Sequence, residues 1–195
     1  MAQKSWEELE GACCQCKKCR LWELRTHVVI GKGNPRADIL FVGEGPGQQE
    51  DLQGKPFVGP AGQLLDKMLA SVGLSLEQVY ITNIVKCRPP GNRDPYEDER
   101  EACLNYLRYQ LKLIEPKIVV CLGRVAATTI IDPSFRITRQ RGIWFPKKGY
   151  DFIATYHPSA LLRDAEKKRP AWEDMKAIRK RWEELNEPRE GAKEL

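Results

Sequence analysis

Cys16 and Cys19 are spaced C-x2-C, and Cys87 and Cys103 follow downstream with fifteen residues between them. Four thiolates of this kind can hold a structural zinc ion or a [4Fe–4S] cluster. Structural zinc sites usually draw on two short C-x2-C knuckles. A single knuckle plus two widely separated cysteines suits an iron–sulfur cluster better. Spacing alone leaves the N-terminal pair open, because Cys13 and Cys16 form an overlapping C-x2-C and Cys14 is a further candidate. Cys121 lies inside an apolar run and reads as a small buried hydrophobe. Cys103, next to Leu104 on a helical pattern, could also be core, but its pairing with Cys87 favours ligation. Between the two cysteine pairs sits GEGPGQQEDLQGKPFVGPAG, a Gly/Pro-rich stretch with three acids.

The elements that must position these groups alternate in type. Ala37–Gly43 reads as a buried strand ending in glycine, and Gly45-Pro46-Gly47 turns it into a loop. Pro60–Leu74 has helical periodicity with Leu64, Leu65, Met68, Leu69 and Val72 on one face and Gly73 as the stop. Val79–Val85 is a second strand, rich in β-branched residues. Asp94-Pro95-Tyr96-Glu97 offers an N-cap, a first-turn proline and a capping glutamate for a helix running to Ile114. Ile118–Leu122 is a third strand, Arg124–Ile131 a short helix, and Phe152–Tyr156 the last strand. A C-terminal helix spans about Pro170–Leu185. This alternation predicts an α/β fold: three layers, α/β/α, around a mostly parallel four-stranded central sheet. Ligands of such sheets bind beyond the carboxyl ends of the strands. Glu44, Asn83 and His157 fall at those ends.

The 195 residues suit one domain, 1–195, with an N-terminal cysteine segment and a C-terminal helix. No apolar run approaches the roughly 20 residues that cross a bilayer, and the N-terminus lacks a signal-peptide core, so no membrane partner and a cytoplasmic, nucleoid-associated location are expected. Reduced thiols in that compartment favour metal ligation over disulfides for the seven cysteines. The net charge of +5 is modest. Arg136, Arg139, Arg141, Lys147 and Lys148, with no acid among them, suggest contact with phosphates; the basic run from Arg163 to Arg189 is interleaved with acids and reads as a solvated helix face.

Five segments, in order, closely resemble the family 4, thermostable-type uracil-DNA glycosylases. They are C-x2-C-x-L (Cys16, Cys19, Leu21), GEGPG-x2-ED (Gly43–Asp51), KPFVGPAG-x-LL (Lys55–Leu65), TNIVKCRPPGNRDP (Thr82–Pro95) and HPSALLR (His157–Arg163). The resemblance selects Cys16 and Cys19 over Cys13 and Cys14, and implies a [4Fe–4S] cluster on Cys16, Cys19, Cys87 and Cys103 with a structural role. It implies hydrolysis of the N-glycosidic bond of a flipped-out deoxyuridine, leaving an abasic site for base excision repair. The implied partner is uracil-containing DNA, single- or double-stranded, bound by a monomer; a sliding clamp is a further candidate partner on which the residues are silent.

The implied roles make chemical sense. A single Asn amide, as at Asn83, matches the N3–H donor and O4 acceptor of uracil, which cytosine lacks. Phe57 resembles the platform on which the uracil ring stacks. His157 resembles the donor to uracil O2, where negative charge develops as the bond breaks; His27 matches no catalytic motif. Backbone N–H groups around Gly45 assist in the uracil pocket. Leu161 or Leu162 would wedge into the gap left by the flipped base, with Arg163 on a phosphate.

Two positions depart from the best-known uracil glycosylases. Where those carry a water-orienting aspartate, this chain has Gly45, leaving Glu44 as the nearest carboxylate to orient water or stabilise the sugar cation. Where those carry a tyrosine that excludes the thymine methyl, this chain has Gly47, and Glu50 is the candidate replacement. A related branch that becomes trapped on DNA uses a histidine in a KRRIH-type insertion, absent from KCRPPGNRDP here. A noncatalytic nucleic-acid-binding module and an electron-transfer protein are the alternatives from other classes, and the retention of Asn83 and His157 argues against both.

Overall fold

The computed structural model describes residues 5–187. In chain order the elements are α1 (Trp6–Cys14), β1 (Lys32–Gly33), β2 (Ile39–Gly43), α2 (Gln48–Gln53), α3 (Pro60–Ser71), β3 (Val79–Asn83), α4 (Glu97–Ile114), β4 (Ile118–Leu122), α5 (Arg124–Ile130), α6 (Ile137–Gln140), β5 (Trp144–Lys147), β6 (Tyr150–Thr155), α7 (Pro158–Arg163) and α8 (Lys168–Asn186). Single 3-10 turns cover Arg20–Glu23, Pro90–Asn92 and Ala165–Lys167. None of the described helices is long and apolar enough to cross a membrane.

The strands form one sheet in the order β1-β3-β2-β4-β6-β5. The inner four are parallel and are the expected four-stranded core. The correction is at the edges, where β1 and β5 add antiparallel strands and make the sheet six-stranded. β1 is only two residues long and β5 contains Pro146, so neither shows the apolar run that marks the inner strands.

Every residue of β2, β3 and β4 is buried, and successive side chains serve opposite faces. Leu40, Val42, Val119, Cys121 and Ala154 pack with Leu9, Leu107, Ala126 and Ala127 from α1, α4 and α5. Ile39, Phe41, Ile81, Val120 and Ile153 pack with Leu65, Leu69, Met175 and Ile178 from α3 and α8. These two cores, one on each face, are the three layers that the alternation of elements predicts.

The start of α4 differs from its sequence reading. Tyr96 is the N-cap and Glu99, not Glu97, reaches back to accept the Tyr96 N–H at 2.8 Å. Arg93 holds the same carboxylate through two hydrogen bonds of 2.7 and 2.8 Å, which fixes it in this role. Asp94 is thereby free of the helix and pairs with Arg124 at the head of α5.

β2 is flanked by β3 on one side and β4 on the other, so the chain reverses its direction of travel across the sheet between them. That switch point opens a crevice at the carboxyl ends of the strands.

Candidate active site

A cleft of about 690 Å³ occupies that crevice, lined among others by Glu44, Gly45, Glu50, Phe57, Asn83 and His157. Six sequence positions from four separate segments therefore converge on one concave surface. Arg163 also lines the cleft.

Asn83 ends β3 opposite Gly43 of β2, and its side chain is buried. Its Oδ1 has no hydrogen-bond partner. A buried, unpaired amide oxygen is costly, of the order of 1–3 kcal/mol, unless a ligand supplies the donor. Gly43 makes this arrangement possible. A Cβ there would lie 2.4 Å from Asn83 Oδ1 and 2.7 Å from Phe57 Cζ, so the strand must end without a side chain for amide and ring to meet. The sequence motif carries this glycine, but nothing in its pattern says that it makes room for those two groups.

Phe57 has φ +51, a left-handed conformation that costs a phenylalanine of the order of 1–3 kcal/mol. Its surroundings hold it there. Lys32 Nζ donates to the Phe57 carbonyl at 3.1 Å, and Glu50 Oε1 accepts the next two amides, Val58 N–H at 2.9 Å and Gly59 N–H at 2.8 Å. Lys32, on the edge strand β1, gives no signal in the sequence. The second acid of the motif works in the same way: Asp51 Oδ1 accepts Thr26 N–H at 2.9 Å and His27 N–H at 3.3 Å, tying the N-terminal segment to α2. Glu50 Oε2 fills the space beside Gly47, where an added Cβ would approach it to 2.7 Å. Its carboxylate thus occupies the room that a side chain at position 47 would need.

His157 caps α7 and faces the Phe57 ring, with centroids 5.9 Å apart. Ser159 N–H donates to Nδ1 at 3.2 Å, which makes Nδ1 the acceptor and leaves the ring proton on Nε2. Burial pulls the imidazole pKa down to about 4, with the positive Arg163 acting in the same direction. The ring is therefore neutral at pH 7 and donates through Nε2. Gly123, at the end of β4, lies beneath it: a Cβ there would come within 2.9 Å of His157 Cβ.

Burial raises the Glu44 carboxyl to about 7, and the charge of Asp94 and a hydrogen bond with it act in the same direction, while Arg124 and Arg100 oppose them. A carboxyl group that titrates near neutrality suits general-base work at physiological pH.

α7 separates the two leucines. Leu161 is 2% exposed and belongs to the interior, whereas Leu162 is 52% exposed. Of the two alternatives, Leu162 is the one that presents its side chain to solvent. The basic stretch also divides. Arg136 caps α6, whose residues Ile137 and Thr138 line the cleft. Arg141 is spent on an ion pair with the buried Asp174. Lys147 and Lys148 sit at the amino end of β6, the opposite end of the strand from His157. The five cations do not form one phosphate track.

Across the sheet layer, Cys16, Cys19, Cys87 and Cys103 line a second, smaller cavity together with Cys13 and Lys86. Arg25 Nη1 donates to Cys87 Sγ at 3.3 Å, and the Lys86 N–H donates to Cys103 Sγ at the same distance. Among the described residues no group of three or more His, Cys, Asp or Glu side chains has the arrangement of a single-ion site. Cys121 is fully buried within β4 and takes no part.

Residues 30–185 match the family model of the uracil DNA glycosylase superfamily. The chain belongs to the uracil-DNA glycosylase superfamily. Its similarity extends over most of the sequence to named relatives. A type-4 uracil-DNA glycosylase of Sulfurisphaera tokodaii is 46% identical over 184 residues, covering 90% of this chain and 84% of the relative. One from Archaeoglobus fulgidus is 46% identical over 183 residues, covering 90% and 92%. A third, from Saccharolobus solfataricus, is 42% identical over 174 residues, covering 85% and 81%. The activity is accordingly that of a uracil-DNA glycosylase, a hydrolase of DNA N-glycosidic bonds. For a glycosylase the cleft has the required character: an aromatic floor, one unsatisfied amide oxygen and one neutral imidazole donor.

Proposed function

We propose that this single-domain glycosylase hydrolyses the C1′–N1 bond of deoxyuridine flipped out of single- or double-stranded DNA into the Phe57–Asn83–His157 cleft. The unpaired, buried Oδ1 of Asn83 carries the reading. The uracil ring stacks on Phe57, its N3–H donates to Asn83 Oδ1, and Asn83 Nδ2 donates to O4. Cytosine offers the reverse pattern and leaves the buried amide mismatched. As the bond to N1 breaks, its electron pair leaves with the base and charge gathers on O2. His157 Nε2–H meets that charge without transferring its proton, which suits a ring whose pKa lies far below neutrality. Water then attacks the cationic C1′ and loses its proton to Glu44, and the uracil anion takes a proton from solvent. The products are free uracil and an abasic site.

Glu44 must be ionised to orient and deprotonate water. With its carboxyl raised to about 7, the competent carboxylate is depleted below that pH and complete above it. The rate of single-turnover cleavage is thus expected to climb with pH through about 7. Glu44→Gln should lower the rate at pH 8 by roughly tenfold or more and flatten the climb. A variant that keeps both the rate and the limb removes Glu44 from the mechanism.

Glu50 serves as the group that excludes a 5-methyl substituent. Glu50→Ala is expected to release some thymine from DNA and to slow uracil release, because Val58 and Gly59 lose their acceptor. Slower uracil release with no thymine release would place the blocking group elsewhere. Leu162 is the wedge, and Arg163 the adjacent phosphate contact.

The four cysteines fit a [4Fe–4S] cluster. They line one cavity, two of their sulfurs accept N–H donors as thiolates do, and Lys86 adds a positive charge at its wall. Such a group would link the N-terminal segment to the loop that follows Asn83 and to α4, as a structural fastening. The decisive experiment is an abasic-site assay on single- and double-stranded uracil DNA, run beside the visible absorption of the purified protein. Tight binding of uracil DNA without base release would favour a binding module.

A further inference from the structure

Lys86 follows Asn83 by three residues and is 1% exposed, among the largest fully buried side chains in the protein. Its ammonium donates to Thr82 Oγ1 at 2.7 Å, to the Asn83 carbonyl at 2.7 Å and to Gln110 Oε1 at 2.6 Å. These acceptors use all three hydrogens of an ammonium, which has no lone pair to offer. The acceptors are themselves fixed. Thr82 Oγ1 donates to the Ile30 carbonyl at 2.6 Å, and Gln110 Nε2 donates to the same oxygen at 3.0 Å. The network is therefore a closed set of directed bonds around a buried cation.

Lys86 lines the same cavity as Cys13, Cys87 and Cys103, whose sulfurs carry negative charge only as thiolates. An isolated buried ammonium is expensive, so it needs a counter-charge. The backbone of Lys86 touches the same site, through its N–H on Cys103 Sγ. α4 brings both partners, since Gln110 lies two turns beyond Cys103 on one face of the helix.

We propose that Lys86 is a positioning residue for uracil recognition, its backbone N–H on Cys103 of the four-thiolate site and its ammonium on the Asn83 carbonyl. The cysteine site and the residue that carries the base-reading amide are joined through Lys86. The proposal rests on the uracil and cluster readings above and adds a specific link between them. The hydrogen bond to Asn83 sets the peptide that aims the amide into the cleft. The cluster thereby stabilises the geometry of recognition without touching the base.

The test is Lys86→Met, close in length and uncharged, purified with its iron content and visible absorption recorded. The inhibition constant for free uracil is expected to rise roughly tenfold or more, and single-turnover release to slow by a similar factor, the usual effect of losing a charge-assisted bond. Affinity for abasic-site DNA should stay at the wild-type value, because DNA contacts lie on other elements. The reduction potential of the cluster should move to more negative values on loss of the cationic residue that lines its cavity. Wild-type uracil inhibition and rate would overturn the proposal, and so would an equal loss of uracil and abasic-DNA binding, which signals general damage. If Lys86→Met does not fold, Thr82→Val removes one acceptor and keeps the shape; it should show the same selective loss of uracil affinity, smaller in size, and a wild-type profile would overturn the proposal equally. Wild-type protein that releases no uracil or holds no iron would instead refute the underlying readings before any variant is compared.

Discussion

His157→Ala is expected to slow single-turnover uracil release by roughly a hundred- to a thousandfold, about 3–4 kcal/mol of transition-state stabilisation. The size follows from where the ring sits. Its Nδ1 is committed to Ser159 N–H, so Nε2–H is the one donor the imidazole can offer the cleft. Burial keeps it neutral by lowering its pKa to about 4, so the donor form persists across the working pH range and no titration of this group limits the rate above about pH 5. Affinity for uracil DNA should change far less than the rate, because charge on O2 develops only as the bond breaks. A His157→Asn variant, which retains a donor, should recover part of the loss. Equal losses in rate and in DNA affinity would argue that the ring only shapes the cleft.

The second large effect is expected at Asn83. Asn83→Asp should lower uracil release by roughly a thousandfold, about 4 kcal/mol, because the buried donor to O4 is replaced by an acceptor that repels it. A carboxylate there presents two acceptors: one still faces N3–H, but the other opposes O4. Cytosine, with its N4 donor, is penalised less, so the ratio of uracil to cytosine release should fall. The substitution is nearly isosteric and leaves Lys86 on the same backbone carbonyl. Unchanged discrimination between the two bases would remove Asn83 from base reading.

The sequence exposes the strands and the strand-end chemistry clearly. β2, β3 and β4 are short apolar runs with glycine or polar ends, and Ile118–Leu122 agrees residue for residue with its structural bounds. Glu44, Asn83 and His157 are legible as functional candidates because polar groups at strand termini of a parallel sheet face one crevice. What the sequence hides is the support for them. Lys32 acts through a long-range bond to the Phe57 carbonyl, and Lys86 through three bonds from one buried ammonium, and neither leaves a periodic trace. Glu50 is legible only as a candidate to exclude the 5-methyl group and Asp51 only as part of a motif, yet each carboxylate accepts two backbone amides from another segment. The choice between Leu161 and Leu162 needs the direction of a helix six residues long, and no pattern that short fixes which side faces inward.

The two edge strands bear on a different property, the behaviour of the folded chain in a crowded solution. An open sheet of apolar strands invites pairing with another molecule along its unpaired rim, which leads to fibrous association. Here one rim ends in a two-residue strand in which Gly33 adopts φ +115, which breaks the extended backbone a partner would need to pair with. The other ends in a strand interrupted by Pro146, which lacks an amide hydrogen, and finished by Lys147 and Lys148. The two lysines, at the end of the sheet away from His157, thus place charge on the rim, which disfavours edge-to-edge pairing with another sheet.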